Sequence, residues 1–189
     1  MTSPHSHNDP TRYAFCPRCG AALTRRVVKA GEPERLVCSA CDFIFFLDPK
    51  LAAGCIIEHE GGIVLLKRAI EPGYGKWVFP GGYVDRGESV PDAARREVEE
   101  EVCLQVELGD LVGIYSYTGR PIVVVVYAAR VVAGKLAAAD EALEAGTFAA
   151  ADLPWDELAF TSTFDALSDY MQRLYALQPP AGSRKPLPF

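Results

Sequence analysis

No apolar run in this sequence approaches the roughly 20 residues that a membrane-spanning helix needs, so no such anchor is expected. The opening residues, MTSPHSHNDPTRYAF, lack the apolar segment of a secretory signal. The expected compartment is therefore the cytoplasm, where thiols stay reduced. Basic residues are not in excess: 19 Lys and Arg against 25 Asp and Glu leave a formal charge of −6. A general nucleic-acid binder carries a basic surface, so nucleic acid is not an expected partner, and neither is a membrane. No internal repeat is visible. With 49% of its 189 residues apolar, the chain can bury a real core, and its length suits one ordinary domain with a small appendage.

The cysteines are ordered in pairs. Cys16 and Cys19 form one C-x2-C unit, and Cys38 and Cys41 form a second after a gap of 18 residues. Two thiolates from one tight turn reach one ion, and two such turns complete a tetrahedron, which fits a four-cysteine zinc ribbon. With all four positions filled by protein, the zinc is structural. Disulfide pairing is the alternative, and a reducing compartment works against it. Cys55 lies in an apolar run and reads as a small core residue. Neither it nor Cys103 reads as a nucleophile.

The chain divides into a polar tail over residues 1–12, the ribbon over 13–47, a larger domain over 51–177 and a Pro-rich tail over 178–189. His5 and His7 in the first tail read as solvated. Within the ribbon, LTRRVVKA and ERLVC are expected strands, followed by an apolar FIFFL and a break at Asp48-Pro49. The larger domain opens with AAGCIIEHE, turns at Gly61-Gly62 and continues as IVLLKRA. LQVELGDLVGIYSYT and PIVVVVYAARVV read as long strands joined through Gly119-Arg120, and a final helix is expected over 162–177. Strands interleaved with two helices, without strict βαβ alternation, indicate a mixed α/β architecture.

The stretch GYVDRGESVPDAARREVEEEVCL, residues 82–104, carries the chemistry. Pro91 suits an early helical position, Ser89 or Asp92 can cap, and AARREVEEEV is strongly helix-forming. On that helix Glu97, Glu100 and Glu101 stand at i, i+3 and i+4, so three carboxylates share one face. Like charges so placed repel, and folding alone does not call for them; a hard divalent cation with oxygen ligands does.

Gly82, Glu88, Arg96, Glu97, Val98, Glu100, Glu101 and Leu104 reproduce the spacing of the Nudix box, G-x5-E-x7-R-E-U-x-E-E-x-G-U, with U a bulky aliphatic residue. The chain thus resembles the Nudix hydrolases. One position departs: Cys103 replaces the glycine that takes a left-handed turn after the helix. The order of ribbon, Asp48-Pro49, Gly54-Cys55, Trp77-Val78-Phe79-Pro80-Gly81-Gly82 and box is similar to the zinc-ribbon subset of that family. That subset includes NADH pyrophosphatases and the FAD and ADP-ribose pyrophosphatases. The SQPWPFPxS signature of the NADH enzymes is missing, and LAFTST at 158–163 stands in the comparable region. NADH is accordingly the less favoured substrate.

The resemblance implies an α/β/α sandwich over residues 51–177. It also implies a diphosphatase acting on a small dinucleotide or nucleotide-sugar, FAD and ADP-ribose foremost, with Mg2+ or Mn2+ as catalytic metal. Glu97, Glu100 and Glu101 are its implied metal ligands, with the Gly81 carbonyl. Glu88 and Arg96 are implied to pair and hold loop and helix together. A further acid from outside the box is expected at Glu144, just before a predicted strand, with Glu141 as the alternative. Different glutamates serve as general base across the family, and a carboxylate bound tightly to metal is a poorer base. Trp77, Tyr83, Tyr115 and Tyr117 are candidates to stack on adenine or flavin, core packing being the other reading of each. A homodimer is expected by family analogy alone. A Nudix domain without catalysis, used for sensing or binding, is the contrasting reading; such domains lose box glutamates, and this one keeps them.

Overall fold

The computed structural model describes residues 13–177, so both predicted tails, with His5 and His7, lie outside the described residues. The chain separates into two compact units at Lys50/Leu51. The smaller carries a three-stranded antiparallel sheet of β1 (Leu23–Arg26), β2 (Arg35–Cys38) and β3 (Ile44–Phe45), in that order. β3 is the part of FIFFL that pairs back on β2, Leu36 facing Phe45 and Val37 facing Ile44. The four cysteine sulfurs of this unit lie within 4.8 Å of one another. Two buried and two exposed thiols gathered so tightly, with no disulfide among them, fit a tetrathiolate zinc site.

The larger unit is built on a sheet ordered β10 (Ala142–Phe148), β5 (Gly62–Arg68), β4 (Lys50–His59), β9 (Ile122–Gly134) and β8 (Leu104–Ser116), with two short strands added at its side. β4 (Lys50–His59) and β5 (Gly62–Arg68) form the hairpin expected around Gly61. β6 (Trp77–Val78) pairs with β5, and β7 (Gly81–Tyr83) pairs with β4. β8 (Leu104–Ser116) and β9 (Ile122–Gly134) form a long antiparallel pair, and β10 (Ala142–Phe148) closes the other edge on β5.

Alternation along the central strands decides how the helices sit. Cys55, Ile57, Val64 and Leu66 pack with Ala93, Ala94, Val98 and Val102 of α1 (Val90–Val102). Ile56, Ile63 and Leu65, one residue out of step, pack with Ala166, Leu167 and Met171 of α2 (Thr161–Leu177). One helix on each face makes the α/β/α sandwich. Three tyrosine–carboxylate bonds hold α2 to the sheet: Tyr115 to Asp169 at 2.9 Å, Tyr117 to Asp165 at 2.6 Å and Tyr170 to Glu58 at 2.6 Å. Arg173 adds N–H donors to the carbonyls of Leu111 and Val112, where β8 bulges. Among the described residues, no helix is long and apolar enough to cross a membrane.

α1 begins as its sequence directs. The Ser89 hydroxyl accepts the Asp92 N–H, and Pro91 occupies the first turn. Its end carries the expected anomaly: Cys103 is the C-cap at φ 58°, ψ 25°, the left-handed region, with its N–H on the Glu99 carbonyl at 3.1 Å. A side chain held there costs about 1–2 kcal/mol, partly offset by the greater unfolded-state freedom of glycine. Cys103→Gly is therefore expected to stabilise the protein by about 1 kcal/mol. The check is a higher denaturation midpoint at unchanged slope in urea; an unchanged or lower midpoint would refute the strain.

Candidate active site

Two adjacent glycines bring β7 against α1. An added Cβ on Gly82 would meet the Glu97 carboxylate at 2.4–2.6 Å, and one on Gly81 would meet Gly54 Cα at 2.5 Å and the Ala53 carbonyl at 2.6 Å. Gly81 admits no side chain against that backbone, and one at Gly82 would displace the Glu97 carboxylate. The Gly81 N–H donates to Glu101 Oε2 at 2.8 Å, tying strand to helix beside the same acids.

Arg96 is the hub of the cluster. Its Nε and Nη2 grip Glu88 at 2.9 and 3.0 Å, and Nη2 also donates to the Tyr83 carbonyl at 3.0 Å. Its Nη1 bridges Glu97 at 2.8 Å and Glu100 at 2.9 Å. Glu88 takes the Asp85 N–H at 3.1 Å as well. The Arg96 hydrogen bonds, then that N–H, hold its carboxyl below the usual carboxylate range. A fork-shaped cation with five donors meets this demand; lysine has no such geometry.

The two innermost acids shift the other way from Glu88. Glu101 is 6% exposed, and burial pushes its carboxyl up to about 7 against the Gly81 N–H. The charges of Glu97 and Glu141 push the same way, while Arg68 pulls back. Glu97 is raised too, chiefly by burial, with Arg96 opposing. A buried and a half-buried carboxylate with raised proton affinity, beside exposed Glu100, form an anionic site that a cation would relieve.

Residues 48–170 match the family model described as NUDIX domain, and residues 14–46 match the one described as Nudix N-terminal. The chain belongs to the Nudix family. It is 37% identical over 157 residues to the ADP-ribose pyrophosphatase of Methanocaldococcus jannaschii, covering 81% of this chain and 87% of that protein. The crystal structure of a NUDIX hydrolase from Nitrosomonas europaea superposes with a TM-score of 0.82 at 33% identity, over 87% of this chain and 94% of that one. An ADP-ribose pyrophosphatase from Streptococcus suis gives 0.57 at 28% identity, over 71% and 96%. The protein is a Nudix pyrophosphatase with an N-terminal zinc ribbon, and Nudix enzymes generally use a divalent metal.

The donor set fits such an ion. Glu97, Glu100 and Glu101 are hard oxygen donors on one helix, and Glu101 is buried and accepts the Gly81 N–H. Among the described residues, however, only the four cysteines have donor atoms all within 4.8 Å of each other. The box carboxylates stand apart because Arg96 Nη1 occupies the space between Glu97 and Glu100.

Outside the box, one acid sits elsewhere in its element than expected. Glu144 lies inside β10, not before it, and pairs with Lys67 at 3.9 Å with its side chain 60% exposed. Glu141 is the acid whose charge acts on both Glu97 and Glu101. Its carbonyl accepts the Ala69 N–H at 2.7 Å, which anchors it beside the end of β5. Arg68, at that strand end, is a site residue that sequence spacing does not mark. It donates to the Pro72 carbonyl at 2.8 Å and lies 5.1 Å from the Phe160 ring centroid.

The aromatic candidates divide. Trp77 is 6% exposed, edge-on to Phe148 with the Lys67 ammonium over its ring, so core packing takes it. Tyr115 and Tyr117 donate their hydroxyls to Asp169 and Asp165 and serve to hold α2. They line a cavity of about 440 Å³ between β8 and α2. Tyr83 is 49% exposed, next to Gly82.

The raised Glu101 carboxyl has a measurable consequence. A carboxyl whose folded pKa lies above its unfolded value favours the folded state less as it ionises. For Glu101 the loss begins near 4.5 and is complete above about 7 in metal-free protein. Wild type is expected to lose more stability than Glu101→Gln between about pH 5 and pH 8, read by urea denaturation in chelator. Parallel curves for the two proteins would refute the burial argument.

Proposed function

We propose that this Nudix pyrophosphatase hydrolyses the diphosphate bridge of ADP-ribose, releasing AMP and ribose 5-phosphate. The observation that carries this reading is the 37% identity to an ADP-ribose pyrophosphatase across 81% of the chain. FAD, NADH and NAD+ have no comparable support and serve as the competing substrates of the test. The cytoplasm is the compartment this reading supposes.

A diphosphate resists hydrolysis because its negative oxygens repel an incoming nucleophile. Mg2+ or Mn2+, when bound, neutralises that charge and makes hydroxide accessible at neutral pH. Glu97, Glu100 and Glu101 would hold it with the Gly81 carbonyl, and Glu141 takes the place first assigned to Glu144. Arg96 and Glu88 position the loop against the helix, so the acids are presented in a set order. Tyr83, with an exposed ring and its own carbonyl on Arg96, is the aromatic we assign to the adenine.

Glu100→Gln and Glu101→Gln are each expected to cut turnover of ADP-ribose by at least about a hundredfold, as loss of a metal ligand does. In 18O-labelled water the label should enter a phosphate group of AMP or of ribose 5-phosphate. Turnover within a few-fold of wild type in both variants would overturn the site. Free inorganic phosphate or a cleaved glycosidic bond as the primary product would overturn the reaction, and faster turnover of FAD or NADH would overturn the substrate.

A further inference from the structure

The four sulfurs of the ribbon are not in equivalent surroundings. Cys16 and Cys38, the first cysteine of each knuckle, are 3% and 0% exposed, while Cys19 and Cys41, the second of each, are exposed. Cys16 Sγ accepts the Arg18 N–H at 3.4 Å, and Cys38 Sγ accepts those of Ala40 and Cys41 at 3.4 Å each. Cys19 also takes a backbone hydrogen bond, from Ala21, so hydrogen bonding does not separate the sheltered sulfurs from the exposed ones. Cys19 and Cys41 have their sulfurs 3.5 Å apart. The other close pairs, Cys19–Cys38 at 3.4 Å and Cys16–Cys41 at 3.8 Å, each contain a buried sulfur. Distance therefore does not separate the pairs, but access does.

We propose that Cys19 and Cys41 are an oxidation site through which a peroxide discharges the zinc. The thiolate of one attacks a peroxide oxygen: an S–O bond forms, the O–O bond breaks, and hydroxide leaves and takes a proton. The thiolate of the other then attacks that sulfur: the S–S bond forms, the S–O bond breaks, and the second oxygen leaves as hydroxide and is protonated. Two electrons pass from the two sulfurs to the peroxide, whose oxygens both end as water. Zinc is left with two of its four thiolates, and a sheet of three short strands has too little buried surface to keep its shape without the ion. Thiol reductant reverses the disulfide and lets zinc return.

The proposal rests on zinc occupying the ribbon, and the test separates the two. Full-length protein is loaded with zinc, assayed for metal and titrated with hydrogen peroxide beside a colorimetric zinc chelator. Remaining thiols are then alkylated and the disulfides mapped by peptide mass spectrometry. The expected result is zinc release in step with a Cys19–Cys41 disulfide, reversed by dithiothreitol and added zinc. Cys103→Ser, which removes the exposed thiol outside the ribbon, should leave the release rate unchanged. Zinc retained while Cys103 oxidises, or a first disulfide that includes Cys16 or Cys38, would overturn the oxidation site. Protein that takes up no zinc before peroxide is added would overturn the metal site itself.

Discussion

The hydrolase unit depends on a contact between two adjacent glycines of a short strand and a helix crowded with acids. Gly81 lets β7 approach β4, and Gly82 lets it approach α1 so closely that the Glu97 carboxylate lies where a Gly82 methyl would be. The Gly81 N–H lands on Glu101. Carboxylates brought this near each other repel, and burial raises their proton affinity. Arg96 is what makes the arrangement tolerable in the metal-free protein. Its fork joins Glu88 on the loop to Glu97 and Glu100 on the helix, and its charge replaces part of what a divalent ion would supply.

The rest of the unit supports that contact from behind. The apolar face of α1 sits on one side of the sheet, and α2 is held on the other. On the α2 side the attachment is unusually polar, with three tyrosine hydroxyls on carboxylates and an arginine on two strand carbonyls. Burial and the neighbouring carboxylate raise the pKa of each of these tyrosines, so all three remain donors near neutral pH. Their work is orientation of the helix, which explains why two aromatic residues on one strand face need not mark a ligand.

The box was legible because it is local. Every residue from Gly82 to Glu101 lies within the end of one short strand, one loop and one helix, and on the helix spacing alone decides which side chains share a face. The cysteine pairs were legible for a similar reason, since a two-residue spacing dictates a knuckle. Cys103 also showed its strain in advance, the pattern asking for a left-handed residue at that position and the structure placing one there. The placement of Glu144 was not legible in this way: it lies within β10 and pairs with Lys67. The register of β10 on β5 includes a shift between Ala142 and Glu144, and such a shift has no local signature.

From sequence alone came the identity of the acids, their order on one helix face, the four-thiolate ribbon and the division into elements. These follow from short-range chemistry, in which a residue and its neighbours within a turn carry the whole cause. Only the tertiary structure shows that the charge of Glu141 acts on Glu97 and Glu101 while Glu144 pairs with Lys67, that Arg68 bears on Glu101, that Trp77 is buried in the core, and that Tyr115 and Tyr117 bond to α2. It alone distinguished the sheltered sulfurs of the ribbon from the accessible ones. Each of those outcomes depends on which distant strand or helix covers a side chain, and burial and charge at a distance are properties of the assembled fold.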